Sequence, residues 1–279
     1  MLTFFHTHNL FPKNILFSGI YYTAIAKYSG VVCSILTTAI LAHIICPEAF
    51  GTVAIATVFL NFFSIVSTTG ISPGIVQCRN LTKSDIDNLF SFTIYAGGVL
   101  CAVLAFIIPF IGIFYKNRDL VTVMYCSLPY ILFSIMNTVP NALALIEKDF
   151  RFIGLRSVFF QLISGGLAIL VAFTGGGIFS LLVAPTISSI GIFFITVKKY
   201  PVRIKIHFGR DSIKKIWIFS FYQILFNICN VIYRNIDKVI LGNFGGMNIL
   251  AQYDKSYQLV LVPVDNIANV VTPILHSLK

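Results

Sequence analysis

The feature that most constrains this chain is a run of 41 residues, Ser157–Val197, without one Asp, Glu, Lys or Arg. A soluble helix cannot stay charge-free for that long, because one of its faces meets water. Similar windows recur at Tyr28–Ile45, Gly51–Ile71, Asn88–Tyr115 and Leu120–Ile146. Across the 279 residues, 57% are hydrophobic and 11% charged, against the roughly 25% charged residues of an ordinary soluble domain. A water-soluble globule, a disordered tail and a disulfide scaffold are excluded. With about 20 apolar residues per span, the apolar content is enough for roughly eight spans.

The windows are continuous rather than alternating at period two, so they predict helices and not the strands of a membrane barrel. Gly175-Gly176-Gly177 divides the longest window into a fifth and a sixth span. Ile216–Leu241 and Ile249–Leu275 supply a seventh and an eighth, and these two carry charges. The expected architecture is an all-α polytopic membrane helical bundle. Residues 1–200 form a six-helix bundle, 201–215 a basic linker, and 216–279 the first two helices of a second, incomplete bundle. Residues 1–26 read as an uncleaved lead-in lying partly in the membrane interface.

Lys and Arg set the orientation. With the N-terminus inside, the inner segments carry Lys13, Lys27, Arg79, Lys83, Lys148, Arg151, Arg156 and the seven cations between Lys198 and Lys215. The outer loops carry only Lys116 and Arg118. The net charge of +10 is therefore read first as topology, and nucleic acid is not an expected partner. The basic stretch Lys198–Lys215 is a topology determinant, with contact to anionic lipid headgroups as the alternative.

A shift of 200 residues aligns Ile40-Leu41-Ala42-His43 with Ile240-Leu241-Gly242-Asn243, and Pro73 with Pro273. In both copies a span ends, a short turn follows and a second span closes on proline. Spans 7 and 8 thus echo spans 1 and 2 in the same orientation, as in parallel transporter repeats. A second six-helix half would need four more spans, so the chain reads as a truncated form of a longer architecture. A natural eight-span protein with a chance echo is the alternative.

Soluble-type chemistry finds no support. The six cysteines include no CxxC and behave as small hydrophobes. No HExxH, GxSxG, Walker-type loop or GxGxxG occurs. No catalytic residue, metal site or cofactor is expected. Attention falls instead on ionised groups inside spans, each costing about 2.5–3.5 kcal/mol near the bilayer centre on insertion scales. Span 7 holds Arg234, Asp237 and Lys238, with Asp237 and Lys238 at i+3 and i+4 from Arg234. Their net charge of one positive suits an anionic ligand, and a guanidinium can bond phosphate oxygens in pairs. Snorkelling of Arg234 to the outer interface is the competing reading. Asn227 and Asn230 extend the same polar face. In span 8, Asp254, Gln258 and Asp265 share a face, reading either as a cavity wall or as a stripe packed on further helices; Asp254 near the outer end needs only solvation. Lys27 at the start of span 1 meets headgroups or substrate phosphate, and Asn61 in span 2 reads as a helix–helix hydrogen bond. Proline at 109, 129, 140, 185, 263 and 273, in or at the ends of spans, marks bends.

Four ordered segments carry a family resemblance. They are Pro47-Glu48-Ala49-Phe50-Gly51-Thr52-Val53-Ala54, then Gly70-Ile71 through Gln77 with Leu81-Thr82. Glu147-Lys148-Asp149-Phe150-Arg151-Phe152 is the third, and Arg234-Asn235-Ile236-Asp237-Lys238 with Ile240-Leu241-Gly242 is the fourth. Together they resemble the Wzx-type polysaccharide flippases of the multidrug/oligosaccharidyl-lipid/polysaccharide exporter superfamily, nearest its colanic-acid exporter branch. The resemblance implies a multi-pass bacterial inner-membrane transporter with its N-terminus in the cytoplasm. It would move an undecaprenyl-diphosphate-linked oligosaccharide across the membrane by alternating access. Lipid-linked oligosaccharide, membrane lipids and other polysaccharide-assembly membrane proteins are the partners this implies. The substrate-contact candidates are Arg234, Asp237, Lys238, Asn227, Asn230, Gln258, Asp265 and Lys27. A glycan polymerase or ligase of the same pathway is the alternative, which the short outer loops disfavour, as is a fragment without transport.

Overall fold

The computed structural model describes residues 13–68, 71–78, 81–205 and 210–260. Ten α-helices are bounded within them: α1 (Lys13–Ile44), α2 (Pro47–Thr68), α3 (Ile71–Gln77), α4 (Lys83–Tyr115), α5 (Arg118–Cys126), α6 (Leu128–Met136), α7 (Thr138–Ile146), α8 (Phe150–Phe173), α9 (Ser180–Lys199) and α10 (Arg210–Phe244). Residues 246–260 are also helical and are called α11. Among the described residues there is no strand, as the continuous apolar windows require. The chain is an all-α polytopic membrane bundle.

Among the described residues six segments are long and apolar enough to cross a bilayer: Lys27–Ile44, Pro47–Ile65, Lys83–Tyr115, Arg118–Ile146, Phe150–Phe173 and Gly177–Lys199. Their outer faces support the assignment. Phe106 and Ile113 on α4 are each 73% exposed, a cost in water that disappears against hydrocarbon. α10 has the length to span but carries Arg234, Asp237 and Lys238 within it.

Three boundaries differ from the sequence reading. The lead-in is not separate from span 1, because helix α1 starts at Lys13 and runs without a break to Ile44. Span 2 ends at Thr68, and Ile71 opens a separate seven-residue helix, α3, that packs on α7 and α10. Span 4 is three helical pieces, divided at Ser127 and Asn137. Pro129 and Pro140 follow those divisions closely, and each lacks the N–H that would continue the ladder. Pro109 and Pro185 lie inside α4 and α9 without dividing them.

Local chemistry fixes the helix ends. Thr82 caps α4 in a capping box: its hydroxyl accepts from the Asp85 N–H, and the Asp85 carboxylate accepts from the Thr82 N–H at 2.9 Å. Asn117 caps α5, and its amide also donates to the Thr52 hydroxyl at 3.2 Å, tying α5 to α2. Lys116 between α4 and α5 takes a left-handed conformation (φ 51°) that allows the reversal.

Packing joins α1 to α8, α8 to α9, α2 to α10, and α4 to α6. The largest core gathers Ile55, Leu60, Leu104, Ile108, Met124 and Ile131 between α2, α4, α5 and α6, and reaches Leu250 of α11. At the end that bears the basic segments, residues 201–205 lie against α4. There the backbone N–H of Arg203 donates to the Asp87 carboxylate at 3.0 Å and that of Lys205 to the Ser91 hydroxyl at 2.7 Å. Buried Asp87 thereby gains a backbone donor from Arg203.

At the opposite end the two hairpin turns of the echo meet. A Cβ on Gly51 would stand 1.9 Å from the Met247 carbonyl oxygen, so only glycine allows the approach of α2 to the start of α11. The two turns are thus neighbours at a seam. Pro263 and Pro273 lie outside the described residues.

Candidate functional site

α1, α2, α8, α9, α10 and α11 enclose a cavity of about 540 Å³. Its wall mixes polar with aliphatic side chains although the helices are largely apolar. α1 contributes Ser34, Thr37 and Thr38; α2 contributes Thr57 and Asn61; α8 contributes Ser157, Gln161 and Ser164; α9 contributes Ser188. On α8 these positions recur at i, i+4 and i+7, one face of the helix. α10 adds Asn235 and Lys238, and α11 adds Asp254, Lys255 and Gln258. Small residues bring the walls together: a Cβ on Gly165 would lie 2.8 Å from the Thr37 hydroxyl, and the Gln161 amide donates to the Gly30 carbonyl at 2.7 Å.

The charges of α10 reach across to α11. The Lys238 ammonium bonds Asp254 of α11 at 2.7 Å, with the two side chains 13% and 6% exposed. The Gln258 amide donates to the other Asp254 oxygen at 2.7 Å. Asp237 instead accepts a short hydrogen bond from the Tyr253 hydroxyl. Successive pairs, 237 with 253 and 238 with 254, therefore lock α10 to α11. The expectation that Asp254 is solvated is corrected: it is 4% exposed and neutralised by Lys238. The Lys238 ammonium also stands 5.4 Å above the Tyr257 ring.

The remaining candidates are spread out. Arg234 is exposed and is not part of the cavity wall. Asn227 and Asn230 are half-buried on α10, outside that wall. Lys27 lines a second recess of about 410 Å³ between α1 and α8 at the basic end, which shares Ser34, Ser157 and Gln161 with the main cavity. Asp265 lies outside the described residues. Asn61 faces the cavity, a place its reading as a helix–helix contact did not foresee.

Beside the polar cavity runs an apolar groove of about 550 Å³ between α1 and α11. Val31, Ile35, Ala39 and Ala42 form one side, with Ala251 and Leu259 on the other. Groove and cavity share lining residues, so they lie side by side.

A second polar cluster sits at the basic end, outside the cavity wall. Arg156 of α8 is 5% exposed and donates to the hydroxyl of Thr196 on α9 and to the Asn141 amide oxygen on α7. Asp149 at the N-terminus of α8 accepts from Lys199 and from the Tyr200 hydroxyl. Burial would raise the Asp149 pKa, but bonds from Lys199, Tyr200 and the Phe152 N–H outweigh it and hold the carboxyl below its ordinary 3.8. Burial and the Asp149 carboxylate push the Tyr200 phenol upward.

Fold and site together define a polytopic membrane bundle built around a polar, charge-bearing cavity. The profile of the polysaccharide biosynthesis proteins matches residues 40–278, and the chain belongs to that family. It is 25% identical over 261 residues to the teichuronic acid biosynthesis protein TuaB of Bacillus subtilis, covering 92% of this chain and 54% of that one. It is 21% identical over 268 residues to the lipopolysaccharide biosynthesis protein WzxC of Escherichia coli, covering 92% and 53%. The chain thus spans about half the length of these curated relatives. In fold it resembles a multidrug resistance MATE family transporter of the MOP superfamily, solved in an inward-facing conformation. The TM-score is 0.58 and the identity 16%, covering 95% of this chain and 62% of that one.

Proposed function

We propose that this chain acts in moving an undecaprenyl-diphosphate-linked oligosaccharide from the cytoplasmic to the periplasmic leaflet of the bacterial inner membrane, for surface polysaccharide assembly. One observation carries the reading: a hydroxyl- and amide-lined cavity joined laterally to an apolar groove between α1 and α11. A soluble sugar has no use for the groove, and an ordinary lipid has none for the cavity. An amphiphile with a large polar head and a long hydrocarbon tail uses both. Serine, threonine and amide side chains suit sugar hydroxyls, and aliphatic side chains suit the tail.

The domain reading fits this role. Residues 1–200 provide the first bundle, 201–215 the basic inner linker and 216–279 the first helices of a second bundle, with the cavity between them. Lys238 and Gln258 in the cavity wall and Lys27 at the basic-end recess are placed to meet the passing headgroup, with the N-terminus cytoplasmic. The chain would perform no bond chemistry; it would supply a water-filled passage through hydrocarbon.

The test is translocation in proteoliposomes. A fluorescent undecaprenyl-diphosphate oligosaccharide is placed in both leaflets and quenched from outside with dithionite. Protein-dependent loss of the protected half of the signal is expected. A protected fraction identical to protein-free vesicles, with the chain shown to be folded and inserted, refutes transport by this chain.

A further inference from the structure

The polar cavity and the apolar groove have five lining residues in common: Ser34, Thr38, Phe50, Lys255 and Gln258. For an amphiphile with its head in one and its tail in the other, the group joining head to tail must lie at this seam. Lys255 is the one charged residue of the five. We infer that Lys255 binds the anionic group linking the polar head to the hydrocarbon tail; this rests on the amphiphile reading above and names the residue that reads its charge.

Lys238, the other cation of the cavity wall, is bonded to Asp254 at 2.7 Å and does not line the groove. Asp254 is engaged again by Gln258 at 2.7 Å, so its charge is already satisfied by neighbours other than Lys255. Among the described residues Lys255 forms no ion pair; its ammonium rests 5.1 Å from the centre of the Phe50 ring. An aromatic face holds a cation weakly and releases it to a full negative charge. A partly buried cation without a bonded carboxylate is costly to desolvate. Apolar groove walls on one side strengthen its attraction for an anion.

The seam is also equipped with donors. Ser34 and Thr38 stand one turn apart on α1, on the side opposite Lys255. Their hydroxyls and the ammonium would approach an anionic group from two helices. Lysine acts there as a point charge, matching a phosphate or diphosphate of any orientation.

The experiment measures binding to the full chain in phosphatidylcholine nanodiscs by native mass spectrometry. Undecaprenyl diphosphate, undecaprenol and phosphatidylglycerol are the probes, and the proteins are the unmodified chain, Lys255→Gln and Lys255→Arg. Lys255→Gln should weaken undecaprenyl diphosphate about 10- to 100-fold, the size of one charge-assisted hydrogen bond. Undecaprenol binding should stay unchanged, and Lys255→Arg should retain most of the diphosphate affinity. Unchanged diphosphate binding in Lys255→Gln overturns the assignment while leaving the amphiphile reading in place. Equal loss of undecaprenol shows a packing role and also overturns it. Lys255-dependent binding of phosphatidylglycerol as tight as that of the diphosphate reassigns the seam to ordinary lipid headgroups. If the unmodified chain binds neither polyprenyl probe, both this inference and the function beneath it fall.

Discussion

Removing both members of the Lys238–Asp254 pair should destabilise the bundle no more than removing one. The contact is 2.7 Å long and the side chains are 13% and 6% exposed, so water compensates little for a lost partner. Deleting one partner of a buried pair costs about 3–5 kcal/mol, whereas replacing both by apolar residues is often neutral. Asp254→Leu strands an ammonium beside the cavity and should cost about 3 kcal/mol, the low end of that range because the cavity admits some water. Lys238→Met leaves Asp254 with the Gln258 amide and should cost about 2 kcal/mol. The double variant should cost no more than the milder single one, which gives a coupling energy of about 3 kcal/mol. Equilibrium unfolding of the purified chain in dodecylmaltoside–SDS mixed micelles, followed by far-UV circular dichroism, reads all four proteins. Additive single effects, with coupling below about 0.5 kcal/mol, would refute the claim that this pair joins α10 to α11 as a buried unit.

Gly51→Ala should cost about 1–3 kcal/mol in the same assay, because its Cβ would collide with the Met247 carbonyl, while Gly98→Ala, with open space around it, should be neutral or slightly stabilising. Arg156→Met should cost about 1–3 kcal/mol by leaving Thr196 and Asn141 without their donor, and Arg156→Lys should recover only part, since one ammonium does not reproduce the planar guanidinium's span. Asp149 has a lowered pKa, so its contribution is complete well above 3.8 and fades as pH falls through and below that value. The stability gap between the unmodified chain and Asp149→Asn, measured by thermal unfolding, should therefore be larger at pH 6 than at pH 3.

Much of this architecture was legible because hydrocarbon imposes a simple code. A charge-free window must be a span, and the windows at 51–71, 88–115 and 157–197 lie on α2, α4 and the α8–α9 pair. The interior of span 4 was not legible: proline divides it near 129 and 140, yet leaves α4 and α9 unbroken at 109 and 185. Whether a proline divides a helix depends on neighbours able to satisfy the freed carbonyl.

The cavity was half legible. Charges inside spans 7 and 8 announced it, but spacing along one helix favoured pairing within α10, and the partner of Lys238 came from α11. The hydroxyl wall was missed because serine and threonine barely lower the hydropathy of a span. Its signal was present as Ser34, Thr37 and Thr38 on α1 and Ser157, Gln161 and Ser164 on α8, all at helical spacing. Lys255 was visible as a charge in span 8, but its place depends on two surfaces meeting, which no single-helix pattern records.

The central claim, that these side chains border an aqueous passage, is tested most directly by reactivity. In a cysteine-free background, Ser188→Cys on the cavity wall and Phe106→Cys on the lipid-facing side of α4 are exposed to a membrane-impermeant maleimide in native membranes. The account predicts that cysteine at 188 reacts and is slowed by an undecaprenyl-diphosphate oligosaccharide, while cysteine at 106 stays unlabelled. Cysteine at 188 as inert as that at 106 would mean dry packing between these helices and would contradict it.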